Sequence, residues 1–294
     1  MNARARTVNV VAISAVRALV LVLCAGLAFA LIDIVVAGWG ELTRLAFYTT
    51  PPLITGSGGG AGPQIINTVY VLVLTMLFTL PIGLGAGIYF AEYAGDDRFS
   101  NACRRATEAL ATLPSIVVGL FGYALLVSAA GLRPSRLTAA MALVVVTLPY
   151  AVRVTEDAFR SVPAAVREGS YALGATKWQT VRGAVLPAAL PNLVTGIILV
   201  AGRVFGEAAV ILFTASVVGS LTESGATSLS PFASGDTLAV DLYHYRVAAD
   251  PSTVPDLVSY ADGVAALLVI LVLVFNVVSR LVGGRLVRRV QGLR

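Results

Sequence analysis

Apolar residues in this chain come in long blocks separated by short polar stretches. The blocks lie at Val10–Ala37, Ile65–Ala91, Leu110–Ala130, Leu137–Tyr150, Ala188–Phe213 and Ala261–Val282. A helix needs roughly 20 apolar residues to cross the hydrocarbon core, and only Leu137–Tyr150 falls well short. The blocks do not alternate polar with apolar residues, as the strands of a membrane barrel would. A helix satisfies every backbone group internally, so it is the element predicted for each block. The pattern therefore predicts an all-α integral membrane protein of about six transmembrane helices. It divides into residues 1–64 (first span and outer Gly-rich loop), 65–282 (a core of five spans) and 283–294 (a basic tail).

Composition agrees with this pattern. Hydrophobic residues make up 57% of the chain and charged residues 13%, about half the charged share of an ordinary soluble domain. Arg4 and Arg6 precede an apolar stretch, as in a signal peptide, but the stretch runs on through Val35-Val36 with no clear small-residue cleavage site. A lipoprotein reading at Leu21-Val22-Leu23-Cys24 fails because leucine stands before the cysteine. The block is read as an uncleaved first span, with Arg17 and Asp33 towards its ends where each can reach an interface.

Charge sets the orientation. With the N-terminus inside, the inner segments hold Arg4, Arg6, Arg98, Arg104, Arg105, Arg153, Arg160, Arg167, Lys177 and Arg182. The tail adds Arg280, Arg285, Arg288, Arg289 and Arg294, and the outer loops hold only Arg44, Arg133, Arg136 and Arg246. Cytoplasmic loops carry the excess of Lys and Arg, so both termini are expected in the cytoplasm. The formal charge of +5 follows from topology and is no argument for nucleic acid. Cys24 in the first span and Cys103 in an inner loop are not placed to form a disulfide. Twenty arginines against one lysine point to a GC-rich genome, and so to a bacterium.

Several motifs can be set aside. The run Gly56-Ser57-Gly58-Gly59-Gly60-Ala61-Gly62 is glycine-rich, but a phosphate-cradling P-loop ends in G-K-[S/T]. The single lysine, Lys177, is followed by Trp178, so the chain has no nucleotide site of its own and the run reads as a flexible outer loop. His244 lies in a long outer segment, Thr214–Tyr260, without Cys, His or carboxylate partners at metal-ligand spacing. It reads as a solvated loop residue, and no cofactor or metal is expected on this chain. Glu92–Glu108 reads as a short inner connection.

The inner segment Ala151–Leu186 carries more information. Ser161-Val162-Pro163 opens a helix, with serine as cap and proline in the first turn. Gly174 supplies a left-handed stop, Thr176 and Gln179 form a capping box for a second short helix, and Pro187 ends it. A DNA-reading helix-turn-helix has this outline, but here the unit lies between two spans and offers few base-reading side chains. Tyr171, Leu173 and Trp178 would be exposed apolar anchors, for a partner or for the membrane surface.

The fifth block carries Arg203 and Glu207 well inside its apolar run. Each such charge costs roughly 2.5–3.5 kcal/mol to insert. An i, i+4 pair could cancel them, but arginine before glutamate is the weaker order, which favours partners on other helices. Arg153 and Glu156 repeat the theme at the inner end of the fourth block, beside Asp157 and Arg160, where positive-inside anchoring competes as an explanation. A guanidinium fork in a polar cavity suits an oxyanion, and neighbouring carboxylates would weaken binding enough for release.

The inner segment resembles the EAA loop of ABC importer permeases: E-A-A, three residues, G, nine residues, I, one residue, L-P. Glu168-Gly169-Ser170, Gly174 and Leu186-Pro187 hold that spacing, while Gly169, Ser170 and Ala184 depart from its residue types. The resemblance implies that Glu168, Gly169, Ser170, Tyr171, Leu173, Gly174, Lys177 and Trp178 dock on a separate ATPase. Leu113-Pro114-Ser115-Ile116-Val117-Val118-Gly119-Leu120-Phe121, Arg153-Val154-Thr155-Glu156-Asp157, Gly206-Glu207-Ala208-Ala209 and Leu173-Gly174-Ala175-Thr176-Lys177-Trp178 are similar to the PstA-type permeases of phosphate-specific ABC importers. The likeness covers roughly Gln64–Leu281. It implies the MetI-like fold of type I importer permeases in a bacterial inner membrane, with Arg203, Glu207, Arg153 and Glu156 along the anion pathway. The implied partners are a PstC-type permease, a PstB-type ATPase dimer holding ATP and magnesium, a PstS-type phosphate-binding protein and the lipid bilayer. Other oxyanions (sulfate, molybdate, phosphonate) fit the same arginine chemistry. A membrane lipid-phosphate enzyme would need a histidine pair or metal cluster, and a passive channel would need no ATPase dock.

The topology predicts that Cys103 reacts with a thiol reagent only from the cytoplasmic side and Ser57→Cys only from outside. Labelling of Ser57→Cys only after the membrane is opened would reverse the orientation.

Overall fold

A computed structural model describes residues 3–52, 58–95, 97–215, 230–249, 252 and 254–290. Ser57, Glu223 and Asp250, and Gly56 of the glycine run, lie outside the described residues. The elements are α1 (Ala3–Ala37), α2 (Trp39–Leu42), α3 (Leu45–Thr49), α4 (Gly62–Tyr93), α5 (Arg98–Thr112), α6 (Ser115–Ala129), α7 (Arg136–Arg160), α8 (Ala164–Ala172), α9 (Lys177–Phe205), α10 (Ala209–Thr214), α11 (Leu238–Tyr243) and α12 (Leu257–Val290). Among the described residues five helices are long and apolar enough to span, and α5 with α6 makes a sixth if that bent pair is one span.

The spans sit where the apolar blocks put them, but their ends differ. The block Leu110–Ala130 was expected to be one helix. Instead α5 and α6 meet at 101°, because Pro114 cannot donate to the helix before it and pushes Leu113 into an extended conformation (ψ 135°). The expected short connection Glu92–Glu108 thus contains most of α5, whose N-terminus is capped by Asp97. The short fourth block grows into the 25-residue α7, capped by a Ser135–Thr138 capping box, so Arg153 and Glu156 lie on a helix, not in a loop. Pro187 does not end the second loop helix. A π turn at Val181–Val185 precedes it and α9 runs on to Phe205, wide turns being one way a helix accommodates a proline ring. Ser161 closes the C-terminus of α7, and Pro163 sits at the start of α8.

α7 is the axis of the fold. On one side α4 comes so close that a Cβ at Gly83 would lie 2.6 Å from Cβ of Ala151, and one at Gly87 2.4 Å from Cβ of Thr155. The buried hydroxyls of Thr79 and Thr147 meet at 3.0 Å in the same seam. On the other side α9 packs through Gly196, against Val154. Leu143, Val146, Val71, Val204, Phe205 and Ile211 fill the shared core.

The outer segment Thr214–Tyr260 was expected to be a long loop with His244 solvated in it; His244 instead starts a π turn and is half-buried, and several other residues of the segment are core. Leu238, Val240 and Asp241 are fully buried, and α11 packs against α4 and α12. Leu238 N–H donates to Thr68 Oγ1 at 2.9 Å and Asn67 Nδ2 to the Asp236 carbonyl at 3.0 Å. These bonds across about 170 residues hold the outer end together.

Asp241 is the costly member of this cap. Its Oδ2 accepts from the Tyr260 hydroxyl at 2.8 Å, while Oδ1 is buried without a hydrogen-bond partner. Burial pushes its carboxyl up to about 7 against the Tyr260 hydrogen bond, which acts in the other direction, and nearby Asp236 adds to the rise. A carboxyl raised on folding contributes no charge-burial penalty below its unfolded pKa near 3.8, and accumulates that penalty as pH rises towards 7. Thermal melts should therefore show wild type losing stability relative to Asp241→Asn between pH 4 and about 7. Parallel pH profiles for the two proteins would remove this role.

Candidate functional site

Pro149 inside α7 and Ala111, two residues before the break at Leu113–Pro114, share one lining, and charges gather around it. Between α5 and the inner half of α7 is a cleft of about 220 Å³, lined by Arg104, Glu108, Arg153, Glu156, Asp157 and Arg160 together with Phe90, Ala111 and Pro149.

The charges in the cleft play different parts. Glu156 is held between Arg160 Nη2 at 2.8 Å and Arg104 Nη2 at 3.4 Å. Arg104 and Arg160 also donate to the Phe90 carbonyl, at 2.9 and 3.4 Å. Glu156 is thus committed to holding α5 on α7. Arg153 faces Asp157 at 3.9 Å, and both side chains are about 70% exposed, a geometry worth little as an ion pair. Arg153 is left available to an anion.

Arg203 and Glu207 are not on one helix. α9 ends at Phe205, residues 206–208 interrupt the helix, and α10 begins at Ala209. Arg203 lies in the last turn of α9, where a cation complements the carbonyl end of the helix. No carboxylate among the described residues lies within ion-pair distance of it. Its neighbour on another helix is aromatic: the guanidinium carbon sits 4.3 Å from the ring centre of Tyr150 on α7. The Tyr150 hydroxyl donates to the Ala111 carbonyl at 3.0 Å, and Ala111 and Pro149 line the cleft. Arg203 therefore adjoins the cleft through one ring. Glu207, half-buried in the break, is not joined by any described ion pair to Arg153 or Arg203.

The inner loop forms two short helices about a turn. Gly174 takes φ +80°, which a side chain at that position would strain, and Gly174 N–H donates to Tyr171 O. The Thr176–Gln179 capping box starts α9 as expected. Ser170 and Thr180 hydroxyls meet at 2.9 Å and tie the two helices together. This hinged pair presents Leu173, 90% exposed, with Tyr171 and Trp178 also exposed. Glu168 and Gly169 lie exposed on the same helix, and Lys177 Nζ sits over the Tyr93 ring at 4.8 Å.

The loop is fixed to the spans by a residue the sequence did not single out as functional. Arg167 Nη2 bonds Glu92 Oε1 at 2.5 Å and the Phe159 carbonyl at 2.8 Å, and Nη1 bonds the Val162 carbonyl at 2.8 Å. The Glu92 carboxylate holds the Arg167 guanidinium above its ordinary pKa. The Glu92 side chain is only 5% exposed. Arg167 was legible as an inner-face charge, but nothing in the sequence joined it to Glu92, 75 residues away. Tyr150 and Arg104 were missed for the same reason. Among the described residues no group of three or more His, Cys, Asp or Glu could hold a metal.

A family model described as "binding-protein-dependent transport system inner membrane component" matches residues 83–292. A probable ABC transporter permease protein of Bacillus subtilis, YqgI, is 40% identical over 263 residues, covering 87% of this chain and 88% of that one. Phosphate transport system permease protein PstA 1 of Mycobacterium tuberculosis is 36% identical over 61% of this chain and 60% of its own. PstA of Xylella fastidiosa is 34% identical over 60% of each chain. Among solved structures, the inward-facing MetNI methionine ABC transporter aligns with a TM-score of 0.57 at 22% identity, over 76% of this chain and 93% of that one. A bacterial ABC transporter involved in the import of the acidic polysaccharide alginate aligns with a TM-score of 0.56 at 14% identity, over 76% and 78%. These last two likenesses are of fold alone.

Removing one partner of a buried ion pair costs about 3–5 kcal/mol, because the other charge stays buried. Arg167→Met and Glu92→Gln should each expose residues 161–176 to proteolysis, while Arg167→Met with Glu92→Met should recover most of the protection. Losses that simply add in the double variant would show that the two side chains are not coupled.

Proposed function

Because the chain belongs to the binding-protein-dependent transport system inner membrane component family and has the fold of type I ABC importer permeases, we propose that it conducts inorganic phosphate inward by alternating access. The observation that carries the reading is Arg203. It is an exposed guanidinium at a break between helices, with an aromatic ring and no carboxylate beside it among the described residues. A ring attracts the cation but offers no oxygen to its donors, so the fork stays open to an oxyanion. Arg153, loosely paired in the adjoining cleft, is a second station nearer the cytoplasm, with Glu156 and Glu207 limiting the net positive charge and favouring release. Any tetrahedral oxyanion meets these requirements, and the names of the PstA relatives support phosphate among them.

The exposed Tyr171–Leu173–Trp178 face, with Glu168, Gly169, Ser170, Gly174 and Lys177 around it, is the dock for a separate ATPase. Such a face is apolar enough to require a cover. Docked there, a PstB-type ATPase dimer holding ATP and magnesium would drive α8 as a rigid lever, since Arg167 ties it to α4 and α7. ATP-driven closure would open the cavity outward to a PstS-type phosphate-binding protein, and hydrolysis would return it inward. A PstC-type permease completes the pair of membrane subunits, in a bacterial inner membrane with both termini cytoplasmic.

Labelled phosphate uptake, normalised to assembled complex, tests the pathway. Hydrogen bonds to charged groups are worth about 1.5–3 kcal/mol, so Arg203→Met with Glu207→Gln should lower uptake by roughly 10–100-fold while the complex assembles. Arg203→Lys should be impaired as well, because a point charge does not reproduce the fork. Wild-type uptake by the double variant would end the pathway role. Separately, Glu168→Lys or Gly174→Asp should abolish phosphate-stimulated ATP hydrolysis in an inserted protein, and unchanged transport in both would remove the coupling role.

A further inference from the structure

Tyr150 stands where three weak points of the helical framework meet. It follows Pro149, which removes a backbone donor from the interior of α7. Its hydroxyl is bonded to Ala111 O at 3.0 Å, in the last turn of α5, two residues before the 101° break at Leu113–Pro114. Its ring holds the guanidinium of Arg203 at 4.3 Å, in the last turn before the break at residues 206–208. One side chain thus touches the charge on α9 with its face and the hinge between α5 and α6 with its hydroxyl.

We propose that Tyr150 is the positioning residue that couples Arg203 to the hinge between α5 and α6, so that occupancy of the guanidinium is transmitted to the broken span. The inference rests on Arg203 meeting the anion. A cation–π contact is worth about 0.5–1 kcal/mol at an exposed site, less than the charge-assisted bonds an oxyanion offers the same group. An arriving anion therefore draws the guanidinium off the ring without having to break an ion pair. The ring, freed of its partner, no longer holds Ala111 in one place, and α5 can move relative to α6. The Arg104–Glu156 and Arg104–Phe90 contacts lie about two turns earlier in α5, so such a movement reshapes the cleft that receives the anion.

The ring and the hydroxyl can be separated. Tyr150→Phe keeps the contact with Arg203 and loses the bond to Ala111. Tyr150→Leu loses both, and Tyr150→Trp keeps an aromatic face while displacing the hydroxyl. In the full complex, reconstituted with its ATPase and phosphate-loaded binding protein, the readout is the number of ATP molecules hydrolysed per phosphate imported. Tyr150→Phe should import phosphate with an unchanged apparent KM for the loaded binding protein and a several-fold higher ATP cost. Tyr150→Leu should raise KM as well, and Tyr150→Trp should restore KM but not the ATP ratio. A side chain that only fills space would lower the amount of assembled complex and leave both ratios at wild-type values, which would overturn the proposal. Arg203→Met separates this failure from that of the underlying reading. If Arg203→Met is inactive while every Tyr150 variant keeps wild-type KM and ATP ratio, the coupling is wrong and the pathway stands. If Arg203→Met imports normally, the pathway reading falls, and the coupling with it.

Discussion

The contact of α4 with α7 at Gly83 and Gly87 sets what the inner face of the protein can do. With no side chain at either glycine, Ala151 and Thr155 of α7 press against the α4 backbone. Apolar side chains gain nothing by leaving lipid for one another, so close backbone approach is what holds helices together in a bilayer. The seam fixes where the inner end of α4 emerges. From there the Phe90 carbonyl reaches Arg104 and Arg160, and Glu92 reaches Arg167. A side chain at either glycine would push α4 outward and loosen the cleft and the loop together.

Charge is distributed along this frame according to whether it is free to act. Glu156 is held by Arg104 and Arg160 and Glu92 by Arg167, each of these arginines also bonded to a backbone carbonyl, and the two carboxylates brace α5 and α8. Arg153 and Arg203 are held only loosely, by a solvated carboxylate and by a ring. A transporter must bind and then release, and on the proposed reading loosely held cations suit both steps. Asp241 belongs to neither group. It is buried at the outer end, where it accepts a hydrogen bond from Tyr260 and burial raises the pKa of its carboxyl.

Breaks in the helices occur beside the cleft, at residues that this chain by itself leaves exposed or half-buried: Leu113, Pro114 and Gly206 are exposed, and Glu207 and Ala208 half-buried. In hydrocarbon an unsatisfied backbone group costs several kcal/mol, so irregular backbone survives at depth only when protein or a water-filled cavity surrounds it. The turn at Leu113–Pro114 is flanked by Tyr150 bonded to Ala111, and residues 206–208 lie between buried Phe205 and Val210. These two breaks bring Arg203 beside the cleft.

The apolar blocks alone determined that the chain is helical and where its spans lie, because a bilayer leaves the backbone few alternatives. The EAA-like spacing located the inner loop, and the left-handed Gly174 and the Thr176–Gln179 capping box followed from local rules that need no tertiary context. Arg203 could be picked out because a charge in an apolar run is conspicuous by its cost, and Arg153 because it lies in a stretch similar to the PstA-type permeases. Their partners could not. Tyr150 lies 53 residues from Arg203 and Glu92 lies 75 from Arg167, and hydrophobic periodicity carries no signal about which distant side chains meet. Nor could the sequence show that Leu110–Ala130 bends at Pro114, that α9 runs through Pro187, or that Asp241 is buried. Proline permits either a kink or a stop, and an aspartate in a polar stretch is soluble or buried according to what packs over it. Only the tertiary structure decided those questions, because in each the deciding energy comes from neighbours far away in the chain.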